Sequence, residues 1–164
     1  MRLRFVEQES GLFTRLFKQM IGLAQYGSKL GHVDAVTTEG TYIGAHLLGG
    51  VQELKPGYDA GFKRELFVDL KSTAEQDAAF IAFLRSHLGE PYDPISVLYF
   101  WGPFASFNWH DPGAWECAQF IGTALIACGW LPVNKEVPVG RLTPRDLYFL
   151  TSTLQAMAGG GIDG

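Results

Sequence analysis

Apolar and polar residues alternate in two parts of the first half of the chain, with the period of two that is typical of β-strands. These parts are RLRFVE at 2–7 and HVDAVTTEGTYIGAH at 32–46. In the second part, Thr-Glu-Gly at 38–40 separates two alternating runs. A three-residue loop that ends in a left-handed glycine is a common hairpin connection. We therefore predict a β-hairpin over residues 32–46, and further strands within residues 51–70 whose pairing the pattern leaves open.

Apolar residues recur at the spacing of amphipathic helices in four further segments of the chain. In one of them, Ser72 and Glu75 are placed to form a capping box, and Gly89 ends the apolar pattern. In the last, Thr143 precedes Pro144, and proline favours the first turn of a helix. Strands and helices in this mixed order predict an α+β fold. The predicted helical segments are residues 10–24, 72–89, 114–130 and 142–150.

The composition indicates one globular domain. The chain has 164 residues, of which 47% are hydrophobic and 13% aromatic, enough to bury a core. We expect a single domain over residues 1–158 and a flexible glycine-rich tail over residues 159–164. The net charge of −4 and the pI near 5.5 argue against a general nucleic-acid binder, because such proteins carry clustered basic residues that neutralise phosphates.

The distribution of charged and apolar residues along the sequence bears on whether the protein is secreted or inserted into a membrane. Charged residues interrupt the apolar residues near the N-terminus, whereas a signal peptide needs a continuous apolar region. No apolar run approaches the roughly 20 residues that cross a bilayer. We therefore expect a soluble protein with no signal peptide and no transmembrane segment.

The two cysteines lie at the two ends of one apolar segment and have different predicted roles. Cys117 is at the start, and Cys128 is near the end, on the stripe that contains Phe120, Ile121 and Leu125. On one helix the two thiols are too far apart to form a disulfide. Cys128 is predicted to be a core residue. Cys117, in the first turn, is the candidate nucleophile, because the positive end of a helix lowers the pKa of a thiol.

The hairpin supplies the candidate base. With a three-residue loop, strand pairing places His32 directly opposite His46, so that both side chains lie on one face. A two-residue loop would place them on opposite faces. We expect His32 to act as general base and acid toward Cys117, with His46 orienting its ring and the N–H groups of the helix start binding an oxyanion. Asp34 shares the face of His32, and we expect it to be solvated.

Other interpretations of these residues stay open from spacing alone. A buried thiol and non-catalytic surface histidines would give the same pattern, and His110 is a rival base close to the cysteine in sequence. A zinc site formed by His32, His46, Cys117 and Asp34 is a third interpretation. Its spacing matches no recognised metal motif, so we expect no metal and no cofactor.

The chain contains, in this order, GHVDAV at 31–36, IGAH at 43–46, GEPYD at 89–93 and WECAQ at 115–119. These motifs resemble those of the circularly permuted papain-like amidases, which are permuted relatives of NlpC-type cell-wall peptidases and include lecithin–retinol acyltransferase-like enzymes. In that family a strand like the first motif carries the base and a polar residue ends the next strand. A segment like the third motif then precedes a helix start that carries the nucleophile.

The resemblance implies an antiparallel sheet packed against helices, with Cys117 as nucleophile at a helix N-terminus, His32 as base and His46 as the third catalytic residue. With the resemblance, Tyr92 and Trp115 become candidate substrate contacts; Tyr92 would line the acyl site or help the oxyanion hole, and the alternative for Tyr92 is a core aromatic with a bonded hydroxyl. The chain departs from the family pattern after the cysteine, where Ala-Gln replaces the frequent Ser-Glu, and before His32, where glycine replaces serine. These departures bear on substrate and activity more than on fold.

The predicted function is that of a cysteine-dependent hydrolase or acyltransferase that cleaves an amide, ester or thioester bond through an acyl-enzyme. The expected partner is a small-molecule, peptide or lipid acyl substrate, such as a cell-wall peptide, and the oligomeric state is left open. The apolar segment 97–109 is either core or the wall of an acyl-binding site. Residues 43–52 are similar to bacterial or phage-encoded proteins, so we expect a cytoplasmic or phage-associated location. The alternative function is a non-catalytic ligand- or lipid-binding module on the same fold.

Overall fold

The computed structural model describes five segments of the chain, residues 1–7, 29–58, 64–94, 113–132 and 142–159. They form the strands β1 (Arg2–Glu7), β2 (Leu30–Val36), β3 (Tyr42–His46), β4 (Gly50–Leu54) and β5 (Arg64–Asp69), and the helices α1 (Ala74–Ser86), α2 (Cys117–Ala127) and α3 (Pro144–Gly159). Four predictions fall outside the described segments: the helix over residues 10–24, the apolar segment 97–109, the loop position of His110, and the tail from residue 160 onward.

The five strands form one antiparallel sheet in the order β4-β3-β2-β1-β5. The first strand, β1, lies between β2 and β5, so that Arg4 is paired with Asp34 on one side and with Phe67 on the other. The helices pack on the sheet and on one another, and the predicted α+β class is confirmed. The position of β1 matters for the site, because it brings together residues that are far apart in sequence.

Strands β2 and β3 form the predicted hairpin with the predicted loop. The N–H of Thr37 donates to the carbonyl of Thr41 at 2.9 Å, and Gly40 has a φ of 79°. Val36 pairs with Tyr42. The loop therefore has three residues and ends in a left-handed glycine. This register is the one that places the two histidines on the same face of the hairpin.

The two faces of the sheet differ in chemistry. The face that packs against the helices is apolar, and its fully buried side chains include Leu3, Phe5, Val33, Ala35, Ile43 and Ala45. The other face carries Arg4 on β1 and His32 and Asp34 on β2, and these side chains are buried as well. Since neighbours along a strand point to opposite faces, α2 lies across β2 from the side chains of His32 and Asp34.

The helices begin at side-chain caps. In α1 the capping box is formed by Thr73 and Gln76, so the prediction of Ser72 and Glu75 is wrong by one residue. Ser72 instead accepts a hydrogen bond from the N-terminal amine at 2.9 Å. Thr143 caps α3 as predicted, since its hydroxyl accepts a backbone N–H of the first turn. Among the described segments, no helix combines the length and the apolar character needed to cross a bilayer.

A close backbone contact at Gly50 fixes the segment that leads to the candidate site. The N–H of Val51 donates to the carbonyl of Glu90 at 2.8 Å, and the N–H of Gly89 donates to the carbonyl of Val51 at 2.9 Å. Gly50 has a φ of 71°, and a Cβ at this position would lie 2.0 Å from the Glu90 carbonyl oxygen. Both the conformation and the available space therefore require glycine.

We predict that Gly50→Ala destabilises the protein more than Gly57→Ala. Both glycines have positive φ, which costs an alanine about 1–2 kcal/mol. A Cβ at Gly57 would meet no atom within 4 Å, whereas one at Gly50 would collide with Glu90. The collision should lower the free energy of unfolding by about 1–3 kcal/mol more. Urea denaturation of both variants measures the difference, and equal losses would contradict the close approach.

Candidate active site

Asp34 is the centre of the polar cluster on the sheet. The expectation that it is solvated is wrong, because its side chain is 0% exposed. Its Oδ1 lies 2.7 Å from Nε2 of His32, and its Oδ2 accepts hydrogen bonds from Tyr58 Oη at 2.9 Å and from Arg4 Nη1 at 3.1 Å. A carboxylate remains charged in a buried position only with partners of this kind. Asp34 therefore connects β1, β2 and the turn that follows β4.

The surrounding groups keep Asp34 ionised. Burial by itself raises the pKa of this carboxyl, but the charge and hydrogen bond of His32, the charge of His46 and the hydrogen bond from Tyr58 together hold the pKa below its usual value. Arg4, which is also paired with Glu65, contributes a buried positive charge at the other carboxylate oxygen. The cluster thus contains a fixed negative charge between the imidazoles and the guanidinium.

The two histidines lie side by side, as the loop register predicted. Their ring centroids are 4.7 Å apart and their planes are inclined by 40°. His32 is hydrogen-bonded through Nε2 to Asp34, whereas Nε2 of His46 lies 3.6 Å from the same oxygen and has no hydrogen-bond partner among the described residues. The orienting contact that the sequence analysis assigned to His46 is made by Asp34.

His46 is neutral at neutral pH. Burial lowers its pKa first, the charges of His32 and Arg4 lower it further, and the opposite effect of Asp34 does not compensate, so the pKa falls from 6.5 to about 4. His46 therefore contributes an uncharged imidazole beside His32 rather than a second cation.

Cys117 meets β2 next to His32. It is the first residue of α2, and its side chain is 3% exposed. The backbone N–H of Val33, the residue after His32, is near enough to the sulfur to lower the pKa of the thiol. Along an antiparallel strand, every second N–H points toward the same neighbouring strand. The N–H of Thr37 donates to Thr41 on the β3 side, so the N–H of Val33, four residues earlier, also points toward β3. The sulfur thus approaches β2 at the level of His32, and it is close enough to Asp34 for that charge to affect its pKa.

The thiol is not activated in the way that the sequence suggests. Burial raises the pKa of Cys117 well above its ordinary value, the carboxyl of Glu116 raises it further, and the Val33 N–H lowers it only in part. Oε1 of Glu116 lies 3.0 Å from the sulfur, and burial raises the pKa of Glu116 as well. The expected lowering of the thiol pKa is therefore wrong, because desolvation of a thiolate outweighs the effect of the helix N-terminus.

Glu116 also occupies part of the helix N-terminus that we expected to bind an oxyanion. It is the N-cap of α2, and its Oε2 accepts the N–H of Gln119 at 2.9 Å. The Gln119 side chain accepts the N–H of Glu116 in return, which completes a capping box. The N–H of Ala118 is near enough to lower the pKa of the same carboxyl. The N–H of Gln119 is therefore already satisfied, and Gln119, which departs from the family pattern, has a structural role.

Tyr92 and Trp115, the two predicted substrate contacts, are paired with each other beside the thiol. They form an isolated parallel β-bridge with backbone hydrogen bonds of 3.0 Å. Burial, followed by the nearby Cys117, raises the pKa of Tyr92 well above its usual value, so its phenol keeps its proton. The indole N–H of Trp115 donates to Glu90, and its ring packs against Phe120 at 5.3 Å. Both residues thus have structural contacts, and a contact with substrate stays a prediction.

The other cysteine and the other histidine of the described segments have structural contacts. Both cysteines are free, and Cys128 lies in the core as predicted, with its thiol 3.3 Å from the carbonyl of Leu125. His87 is the C-cap of α1, and its Nδ1 lies 2.8 Å from the carbonyl of Phe83. Neither residue therefore enters the candidate site.

Three residues of the cluster were not identified from the sequence. Glu116 had a local signal, because an N-cap acceptor three residues before Gln119 is a capping-box pattern. Arg4 and Tyr58 had none, since they reach Asp34 from 30 and 24 residues away in the chain. Long-range contacts of this kind depend on the tertiary structure and not on local spacing.

Comparison of the sequence with protein-family models and with characterised proteins finds no match. The resemblance to permuted papain-like amidases therefore rests on the four motifs alone. The chemistry of the site has to be argued from the contacts of Cys117, His32, Asp34 and their neighbours.

We predict that Arg4→Met lowers the free energy of unfolding by about 3–5 kcal/mol, because it leaves the buried carboxylate of Asp34 without its guanidinium. Arg2→Met is the matched control, since the side chain of Arg2 is 50% exposed and pairs with the exposed Asp69. Arg2→Met should lower the free energy of unfolding by less than about 1 kcal/mol. Chemical denaturation gives both values, and losses of similar size would show that the buried pair is not needed for stability.

We predict that stability rises with pH between about 4 and 6.5. In this window unfolded His46 binds a proton and folded His46 does not, so acidification favours the unfolded chain. The effect should be at most about 3–4 kcal/mol, since one pKa unit corresponds to about 1.4 kcal/mol. Denaturation in the presence of a chelator at several pH values measures it. His46→Gln should flatten the dependence, and an unchanged slope in this variant would contradict the assignment.

Proposed function

We propose that the protein is a cysteine-dependent hydrolase or acyltransferase, with Cys117 as nucleophile and His32 as general base. The observation that carries the proposal is that the Cys117 thiol at the start of α2 meets β2 at Val33, the residue that follows His32, whose imidazole lies 2.7 Å from Asp34. A nucleophile, a base and a group that orients the base are what thiol acyl transfer requires. The resemblance of the four motifs to permuted papain-like amidases supports the same assignment.

In the proposed reaction, His32 accepts the thiol proton while the sulfur attacks the acyl carbon. If Nε2–H of His32 donates to Asp34, the lone pair of Nδ1 is the acceptor. The tetrahedral intermediate collapses to a thioester as the leaving group takes the proton from His32. Water or another acceptor, deprotonated by the same imidazole, then attacks the thioester and releases Cys117 as a thiol.

The protonated resting thiol determines the kind of catalysis. Because the pKa of Cys117 is raised, a preformed thiolate is not the attacking species at neutral pH, and proton transfer has to accompany attack. Glu116 lies 3.0 Å from the sulfur, so the S–H must turn from this carboxyl toward His32. In this proposal Asp34, not His46, orients the base, and His46 lies beside it.

The proposed acyl group is apolar. Leu47 and Leu48, which follow His46 directly, are 51% and 86% exposed. Adjacent exposed leucines favour contact with a hydrocarbon chain over contact with a charged cell-wall peptide. A lipid acyl ester or thioester is therefore the substrate class we propose.

A non-catalytic ligand-binding module on the same fold is the second candidate. The observations that favour it are the raised pKa of Cys117 and the capping of the helix N-terminus by Glu116. In such a module the thiol would not be acylated, and this property separates the two candidates.

We predict that p-nitrophenyl butyrate transfers one butyryl group to Cys117, detected by mass spectrometry of the intact protein. Cys117→Ala should give no adduct. Cys128→Ala is the matched control, since this thiol lies in the core and should not react. His32→Gln should slow acylation by about 10²–10⁴-fold, the usual contribution of a general base. Acylation that persists in Cys117→Ala, or that is unaffected in His32→Gln, would contradict the proposal.

A further inference from the structure

Three side chains of the polar face lie close enough to bind one cation. His32, Asp34 and His46 each offer one ligand atom, and these atoms lie within 4.8 Å of one another. Ligand atoms of a tetrahedral zinc ion are about 3.4 Å apart, because its bonds to nitrogen and oxygen are about 2.0–2.2 Å long. Nε2 of His46 lies 3.6 Å from Oδ1 of Asp34, which is close to that value. Nε2 of His32 lies 2.7 Å from the same oxygen and would move outward by about 0.7 Å.

The Nε2 atom of His46 is buried and has no hydrogen-bond partner in the part of the chain that the structure describes. The oxygen of Asp34 at 3.6 Å is beyond hydrogen-bonding distance. Buried polar atoms are nearly always paired, so an imidazole nitrogen in this state needs an explanation. A cation held between the three side chains would give this nitrogen its partner.

The surroundings hold the carboxylate in the orientation that a metal requires. Tyr58 and Arg4 bind Oδ2 of Asp34, so that Oδ1 is left on the side of the two imidazoles. A Cβ at Gly44 would lie 2.3 Å from Oδ1, and glycine therefore keeps this space open. The positive charge of Arg4 is balanced by Glu65. Outer contacts of this kind orient metal ligands.

We propose that His32, Asp34 and His46 form a zinc-binding site with three protein ligands and an open fourth position. Two imidazoles and one carboxylate are a ligand set that zinc accepts, and sites with three protein ligands leave a position for water or another ligand. Cys117 is not a member of this group, so the site differs from the one considered from the sequence.

Zinc at this position would inhibit the proposed thiol chemistry. Coordination through Nε2 of His32 places the ring proton on Nδ1, so that this nitrogen can no longer accept the proton of Cys117. This consequence rests on the proposed function, whereas the binding itself does not. Zinc should therefore block acylation of Cys117, and a chelator should restore it.

Calorimetric titration of untagged, chelator-treated and dialysed protein with Zn²⁺ tests the site, and we expect one ion per chain. His46→Gln and His32→Gln should each weaken binding by at least about 10–100-fold, because each removes a ligand. His87→Gln is the matched control, since His87 lies outside the group and should be dispensable. The absence of saturable binding, or binding that is equal in wild type and both ligand variants, would overturn the proposal.

Titration of Cys117→Ala separates the metal site from the proposed function. This variant lacks the nucleophile but retains all three ligands, so its affinity for Zn²⁺ should equal that of the wild type. If zinc binds and the wild type is not acylated, the metal site stands and the thiol chemistry fails. If the wild type is acylated and Zn²⁺ does not bind, the metal site is overturned.

Discussion

The buried carboxylate of Asp34 is the constraint on which the candidate site depends. Removing a carboxylate from water costs several kcal/mol unless cationic and hydrogen-bonding groups surround it. Arg4, Tyr58 and His32 supply such groups within 3.1 Å. They come from β1, from the turn after β4 and from β2, so the contacts that compensate the burial of Asp34 also fix the ring of His32.

The state of Cys117 follows from a competition between burial and the helix N-terminus. Interaction of an anion with a helix N-terminus contributes about 0.3–2 kcal/mol. Holding an unpaired anion in a buried position costs several kcal/mol, and Glu116 lies 3.0 Å from the sulfur. The cost of burying a thiolate exceeds the stabilisation by the helix N-terminus, so the resting thiol keeps its proton. In the proposed reaction, attack by this sulfur therefore needs a base that accepts the proton, and the orientation of His32 would be decisive.

Local patterns predicted the parts of the fold whose partners are close in the chain. The hairpin register was predicted from a loop of three residues, because each strand alternates with a period of two and the loop length sets the pairing. The predicted N-cap of α1 was wrong by one residue, because Ser72 and Thr73 are both good caps. Each is followed three residues later by a side chain that can complete a capping box. In the folded protein Ser72 accepts a hydrogen bond from the amine of Met1, 71 residues away, and the local pattern carries no sign of this contact.

By itself, the sequence determined the α+β class, the shared face of His32 and His46, and the helix that begins at Cys117, since each follows from contacts within a few residues. Only the tertiary structure decided the ionisation of the site. It placed β1 beside β2, which brought Arg4 to Asp34, and it buried the thiol against Glu116. Protonation depends on desolvation and on charges such as that of Arg4, which is 30 residues from Asp34 in the chain, and local spacing carries no information on either.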